Sequence, residues 1–227
     1  MICFSYYLTS GEEPQMRITV FGATGRIGAA AVQQGLDAGH KVTAVVRESS
    51  RFELTHPSLE LVRVPGLTEV GPLAPALDGA EAVISGVGAR GRKDGPVAST
   101  ATHVILEAMW NADVRRIVAV SAAPVGREPE GDSFRNRRLI TPFASAMLRD
   151  VYADLSEMED ELRRSGIDWT VVRPPKLTNK AVTGVYRTVI GGNVPRGHLM
   201  SRADTAHFML AALDNPATIG QPVGIAY

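Results

Sequence analysis

A single doubly wound α/β domain, a parallel sheet with helices on both faces, is predicted by three features of this chain. Short apolar runs alternate with helical patterns at the spacing of strand–helix–strand units. The first run, Arg17 to Phe21, leads directly into glycines spaced GxxGxxG at Gly22, Gly25 and Gly28. The chain has 227 residues, enough for one such domain with a substantial core, and nothing in it demands two.

Each element follows from its residues. Arg17-Ile18-Thr19-Val20-Phe21 is the first strand, and Ala29 to Ala38 is a helix with Val32 and Leu36 on one stripe, closed by Gly39-His40. Lys41 to Arg47 and Leu59 to Val64 read as the second and third strands. Leu73 to Leu77 is a short helix, and Ala80 to Gly86 the fourth strand. Thr100 to Asn111 carries Val104, Ile105, Ala108 and Met109 at helical spacing, and Arg115 to Ser121 is the fifth strand. Pro124 to about Arg138 is a polar loop, longer than the fold requires and therefore the expected seat of acceptor or partner selectivity.

A long amphipathic helix succeeds it, with Leu148, Val151, Leu155, Met158 and Leu162 on one stripe and a stop at Ser165-Gly166. Asp154, Glu157, Glu159, Asp160 and Glu161 read as its solvated face, with Arg163 and Arg164 complementing the helix dipole. Asp168 to Arg173 is the sixth strand, ended by Pro174-Pro175. Arg202 and Asp204 mark a loop and cap before a helix from Ala206 to Leu213. Trp110, Trp169 and Met200 read as packing residues, and His103 and His207 as core or interface histidines.

Residues 1–15 read as a poorly ordered N-terminal extension, and 16–227 as the domain, its C-terminal part holding the substrate. Net charge is zero, from 24 basic and 24 acidic side chains, so no basic field argues for nucleic acid or an anionic membrane. Cys3 is the lone cysteine, which excludes an internal disulfide and a cysteine-rich metal site and suits a reducing cytoplasm.

The glycines name a ligand class. Gly22 allows a tight turn, Gly25 lets backbone approach a pyrophosphate, and Gly28 lets the helix pack closely on the strand, the arrangement of a Rossmann fold. Ligands in such sheets lie beyond the carboxyl ends of the strands, here Gly22 to Ile27, Arg47 to Arg51, Pro65 to Leu67, Gly86 to Arg90, Ser121 to Pro124 and Pro174 to Lys176. After the second strand an NAD site places an acid on the ribose, and an NADP site an arginine on the 2′-phosphate. The chain offers Arg47, then Glu48-Ser49-Ser50-Arg51, which favours NADP; a slip of one residue would put Glu48 on the ribose and favour NAD.

The order GATGRIG, VVRESSR, ISGVGAR, VAVSAA, SGIDWTVVRPPKL, TGVYRTVIGG and SRADTAHFML resembles the atypical short-chain dehydrogenases/reductases with an NAD(P)H-binding domain. The resemblance runs from about Ile18 to Leu213 and is strongest to the flavin reductase (NADPH), or biliverdin reductase B, branch. It implies that Gly22, Thr24, Gly25, Arg26 and Ile27 hold the pyrophosphate and that Arg47, helped by Ser50 and Arg51, holds the 2′-phosphate. It also implies that Gly88, Ala89 and Arg90 line the adenosine and nicotinamide ribose, that Ser121 lies near the nicotinamide, and that Pro174 and Pro175 orient the ring. Lys176 replaces a histidine of that branch, and Pro65-Gly66-Leu67 an acidic residue that contacts adenine.

Ordinary short-chain dehydrogenases use a tyrosine activated by a lysine four residues later, and the chain has no such pair: Tyr152 is followed at that spacing by Ser156, and Tyr186 by Ile190. The expected chemistry is hydride transfer from NADPH to a flavin, quinone or similar conjugated acceptor, with Ser121 as the candidate catalytic residue and no metal. Two alternatives stay open: an NADP-binding redox sensor without turnover, and a reductase of an activated carbonyl biosynthetic intermediate. The expected partner is the small-molecule acceptor, with no nucleic acid or membrane, in a monomer or weak homodimer.

Overall fold

The computed structural model describes residues 15–89, 94–125 and 141–227, with the side chains of 141–148 excepted. Most of the extension (1–14), Arg90 and nearly all of the predicted 124–138 loop lie outside the described residues. Gln15 is placed, its amide donating to the Gly39 carbonyl at 2.8 Å.

The elements run β1 (Arg17–Phe21), α1 (Arg26–Asp37), β2 (Lys41–Arg47), β3 (Leu59–Val64), a 3₁₀ turn (Gly71–Leu73) into α2 (Ala74–Leu77), β4 (Ala82–Ser85), α3 (Val97–Asn111) and β5 (Arg116–Val120). There follow α4 (Thr141–Arg164), β6 (Asp168–Arg173), β7 (Lys176–Thr178), β8 (Arg187–Ile190), β9 (Leu199–Ser201), α5 (Arg202–Ala211) and β10 (Gln221–Ala226). Among the described residues, eight strands form one sheet in the order β3-β2-β1-β4-β5-β6-β10-β8, and β7 pairs with β9 apart from it. All pairings in the large sheet are parallel except β10 with β8. The predicted doubly wound sheet is therefore present, with an antiparallel strand added at one edge.

Alternation along the strands divides the core between the two faces. Phe21, Val45, Val83, Ile117 and Val171 pack with α2, α3 and α4 on one side, while Ile18, Val20, Ala44, Ile84, Val118 and Val172 pack with α1 and α5 on the other. Met200 and Trp169 are buried, as expected of packing residues. Trp110 is 47% exposed, donating to the Ser165 carbonyl with the Arg115 guanidinium over its ring.

The acidic stripe of α4 is not wholly solvated. Asp154 and Glu159 are buried: Asp154 accepts from the first amides of α3, on which α4 packs, and Glu159 from Ser121 and Arg173 at the ends of β5 and β6. His103 is exposed and bonds Glu161, so it is not a core histidine. The last helix begins at Arg202: Ser201 caps it by accepting the Asp204 amide at 2.8 Å, so Arg202 and Asp204 lie inside the helix and not before it.

The apolar runs and helical patterns predict no strand beyond β6, yet four follow it among the described residues, β7 to β10. In β10, Pro222 and Gly224 suggest a loop, yet Gly224 is needed because a Cβ there would stand 2.4 Å from the Gly192 carbonyl oxygen. A passing chain segment, and no turn, dictates that glycine.

Candidate functional site

Phe21 and Ser85 are partners across β1 and β4, so Gly22 and Gly86 emerge side by side where the strand order reverses. Gly22 has φ +74°, and a Cβ on it would lie 2.8 Å from the Gly86 carbonyl carbon. A Cβ on Gly28 would lie 2.2 Å from the Gly22 carbonyl oxygen. Both positions are thus imposed by the protein's own backbone. Gly25 closes the turn by donating to the Gly22 carbonyl at 2.8 Å and stands at the N-cap of α1, where it supplies no side-chain cap. With no acid in the first turn either, the leading amides of α1 are left for an anion. Thr24 and Arg26 are exposed and Ile27 half-buried around this cradle. Arg26 and Arg202 both donate to Asn179 Oδ1, at 3.3 and 2.7 Å.

At the end of β2 the chain turns tightly, with the Ser50 amide on the Arg47 carbonyl at 2.8 Å. Arg47 and Arg51 are exposed and Ser50 half-buried, so the predicted group is assembled on one turn. Arg63 joins it, its guanidinium donating to the Ser50 carbonyl at 3.1 Å. The sequence reading missed Arg63, although its place beside Val46 follows once β3 is paired in register with β2. Glu48 is exposed as well, with its amide on the Val64 carbonyl at 2.9 Å.

Ser121 follows β5 and is buried. Its amide donates to the Val172 carbonyl, and its hydroxyl donates to Glu159 Oε1 at 2.8 Å. Glu159 also receives Arg173 Nε at 2.9 Å, with Arg173 Nη2 on its second oxygen, and Arg163 Nη2 at 2.7 Å. Neither Glu159 nor Arg173 was singled out from the sequence; a charge at a strand end facing a charge on the preceding helix was the available signal. Pro174 is buried, its carbonyl accepting the Ala123 amide at 2.9 Å, and Pro175 is half-buried beside it.

Gly88 and Ala89 leave β4 toward solvent, and a Cβ on Gly88 would meet nothing within 4 Å. Arg90 lies outside the described residues. Lys176 is exposed at the start of β7. Burial raises the Tyr152 phenol above its ordinary pKa, the reverse of an activated tyrosine. Tyr186 and His207 share a hydrogen bond of 2.7 Å between hydroxyl and Nδ1, with their rings edge to face. Among the described residues no group of three or more His, Cys, Asp or Glu is placed to hold a metal, and no helix is long and apolar enough to cross a membrane.

A cradle of close glycines, an uncapped helix start and a cationic turn at the next strand end fit a dinucleotide, and together they define a Rossmann-type nucleotide-binding domain. The chain belongs to the NAD(P)H-binding family, whose profile matches residues 22–216. An uncharacterized chloroplastic protein of Arabidopsis thaliana is 29% identical over 177 residues, 74% of this chain and 61% of that protein, so the match spans less than two thirds of that relative's length. The oxidoreductase ylbE of Lactococcus lactis superposes with a TM-score of 0.77 at 19% identity, covering 93% of this chain and 90% of that one. A candidate NADH-flavin reductase of Streptococcus pneumoniae gives 0.75 at 22% identity, covering 93% and 99%. At these identities the solved structures share the fold.

Proposed function

We propose that this chain is an NADPH-dependent reductase that delivers hydride to a flavin, quinone or similarly conjugated acceptor, in the manner of the flavin reductase branch. The observation that carries the choice of cofactor is the turn after β2, which carries Arg47, Ser50 and Arg51, takes Arg63 on its Ser50 carbonyl, and follows the strand paired with β1. A guanidinium fork suits a 2′-phosphate, and no carboxylate but the exposed Glu48 shares that turn.

When bound, the dinucleotide supplies the hydride. The chain supplies position and surroundings. Gly22, Gly25 and the first amides of α1, with Thr24, Arg26 and Ile27 around them, would hold the pyrophosphate; Gly88 and Ala89 would flank the riboses; Pro174 and Pro175 would bound the ring beside Ser121. Tyr152, its phenol pushed up by burial, stays protonated and is a weaker acid than an ordinary tyrosine, with no lysine four residues on to activate it as in ordinary short-chain dehydrogenases. An acceptor with its own electron sink needs no proton donor from the protein, since water can supply the proton.

The test is absorbance at 340 nm with purified protein, NADPH or NADH, and FMN, riboflavin, a quinone or biliverdin in turn. Acceptor-dependent oxidation that is faster with NADPH supports the proposal. Saturable NADPH binding with no oxidation on any acceptor would replace it with a redox-sensing role, and turnover confined to a carbonyl compound would replace the acceptor class.

A further inference from the structure

A serine hydroxyl has one proton and two lone pairs. At Ser121 the proton is committed to Glu159 Oε1 at 2.8 Å, in a site where Ser121 is 7% and the Glu159 side chain 1% exposed. Glu159 cannot swing away. Arg173 grips both of its oxygens, and Arg163 holds Oε2 from one turn further along α4. A carboxylate only accepts, so the direction of the hydrogen bond is fixed. Among the described residues no donor is directed at Ser121 Oγ, which leaves its lone pairs for a ligand.

We propose that Glu159, held by Arg173, is a positioning residue that makes Ser121 an obligatory hydrogen-bond acceptor for the amide N–H of the nicotinamide carboxamide. This rests on the dinucleotide reading above. A serine without such a partner would donate to the carboxamide oxygen as readily as accept from its nitrogen. The buried pair removes that freedom and selects the amide edge of the carboxamide. It also explains why a charged pair stands at the ends of β5 and β6, where apolar residues of similar volume would serve the fold as well.

The test is isothermal titration calorimetry with NADP⁺ and with its 3-acetylpyridine analogue, which keeps the ring carbonyl oxygen and has a methyl group in place of the amide nitrogen. Ser121→Ala is expected to weaken NADP⁺ about ten-fold and the analogue less than two-fold, the loss of one hydrogen bond to one ligand only. The double variant Glu159→Met/Arg173→Met leaves no unpaired charge at that site and frees the Ser121 proton. It should narrow the gap between the two ligands, because the freed hydroxyl can now donate to the ring carbonyl of either, and adding Ser121→Ala to it should weaken both alike. Equal weakening of both ligands by Ser121→Ala would mean that the serine donates to the carbonyl, and would overturn the proposal. So would a double variant that discriminates between the two ligands as the parent does. If the double variant does not fold, Ser121→Ala decides alone, because it leaves the Glu159–Arg173 pair intact. A parent protein that binds neither ligand would overturn the dinucleotide reading itself, a different result from unselective losses in the variants.

Discussion

Asp154 caps a helix to which it does not belong, its Oδ1 accepting both the amide of Ser99 at 2.9 Å and the hydroxyl of Ser99 at 2.6 Å. Oδ2 takes the Ala98 amide at 2.8 Å. The first turn of α3 has no side-chain cap of its own, since Pro96 stands at the N-cap. Satisfying orphan amides from a neighbouring helix ties α4 to α3 at a defined height. Asp154→Ala is expected to destabilise the domain by about 2 to 3 kcal/mol, and Ser99→Ala by about 1 kcal/mol, in urea unfolding. Similar midpoints for Asp154→Ala and the parent would show that the cap is made by water instead.

Asp204 leads to a prediction in pH. Burial pushes its carboxyl up, but hydrogen bonds from Tyr227, Thr183, Gly184 and Ser201 outweigh that effect and leave the pKa below the ordinary aspartate value. A folded pKa below the unfolded one means that the contribution is complete above the unfolded value and is lost as pH falls through the folded one. Asp204→Asn should therefore cost about 2 kcal/mol at pH 7, with the gap to the parent narrowing at pH 3 and below. Urea midpoints at pH 7, 5 and 3 check this, and a gap independent of pH would rule it out.

Arg47→Ala should weaken NADPH far more than NADH, since a charge-assisted fork to phosphate is worth roughly 1.5 to 3 kcal/mol. Arg63→Met, which removes the support of the Ser50 carbonyl, should act in the same direction with a smaller loss. Fluorescence titration with both cofactors measures the difference. Equal losses would mean that the 2′-phosphate is held elsewhere.

Gly28→Ala places a Cβ 2.2 Å from the Gly22 carbonyl oxygen, so the backbone of the turn must move. Overpacking of this kind costs typically about 1 to 3 kcal/mol, and here the strain falls on the cradle itself. Thermal unfolding should show the loss of stability, with cofactor affinity falling alongside. Gly39→Ala, where a Cβ meets nothing within 4 Å but φ is +84°, is the control: strain without any effect on the cradle.

What could be read from residues alone was what is local. The bounds of β2, β3 and β6 are those of the apolar runs Lys41–Arg47, Leu59–Val64 and Asp168–Arg173. The glycine loop, too, lies within one turn and one helix start. Asp154 and Glu159 were misread because a run of acids on a helix looks the same whether it faces water or a donor from another element; Ala98 is 56 residues from Asp154, and Arg173 is 14 from Glu159. Strands β7 to β10 escaped for a related reason. Arg187–Ile190 is a mostly exposed edge strand with little apolar signal, and the pairing of β10 with β6 and β8 is entirely non-local.

That pairing also orders the way the sheet is completed. Among the described residues, strand β8 pairs in the sheet with β10 alone, and β10 has its other side on β6. As the chain leaves the ribosome, β6 presents an open edge and β8 has nothing to lie against until residues 221–226 arrive and slot between them. The two unpaired edges are of the kind that recruit strands from other molecules. The closing of this gap thus pairs both of those edges in one step, and that step waits on residues 221–226.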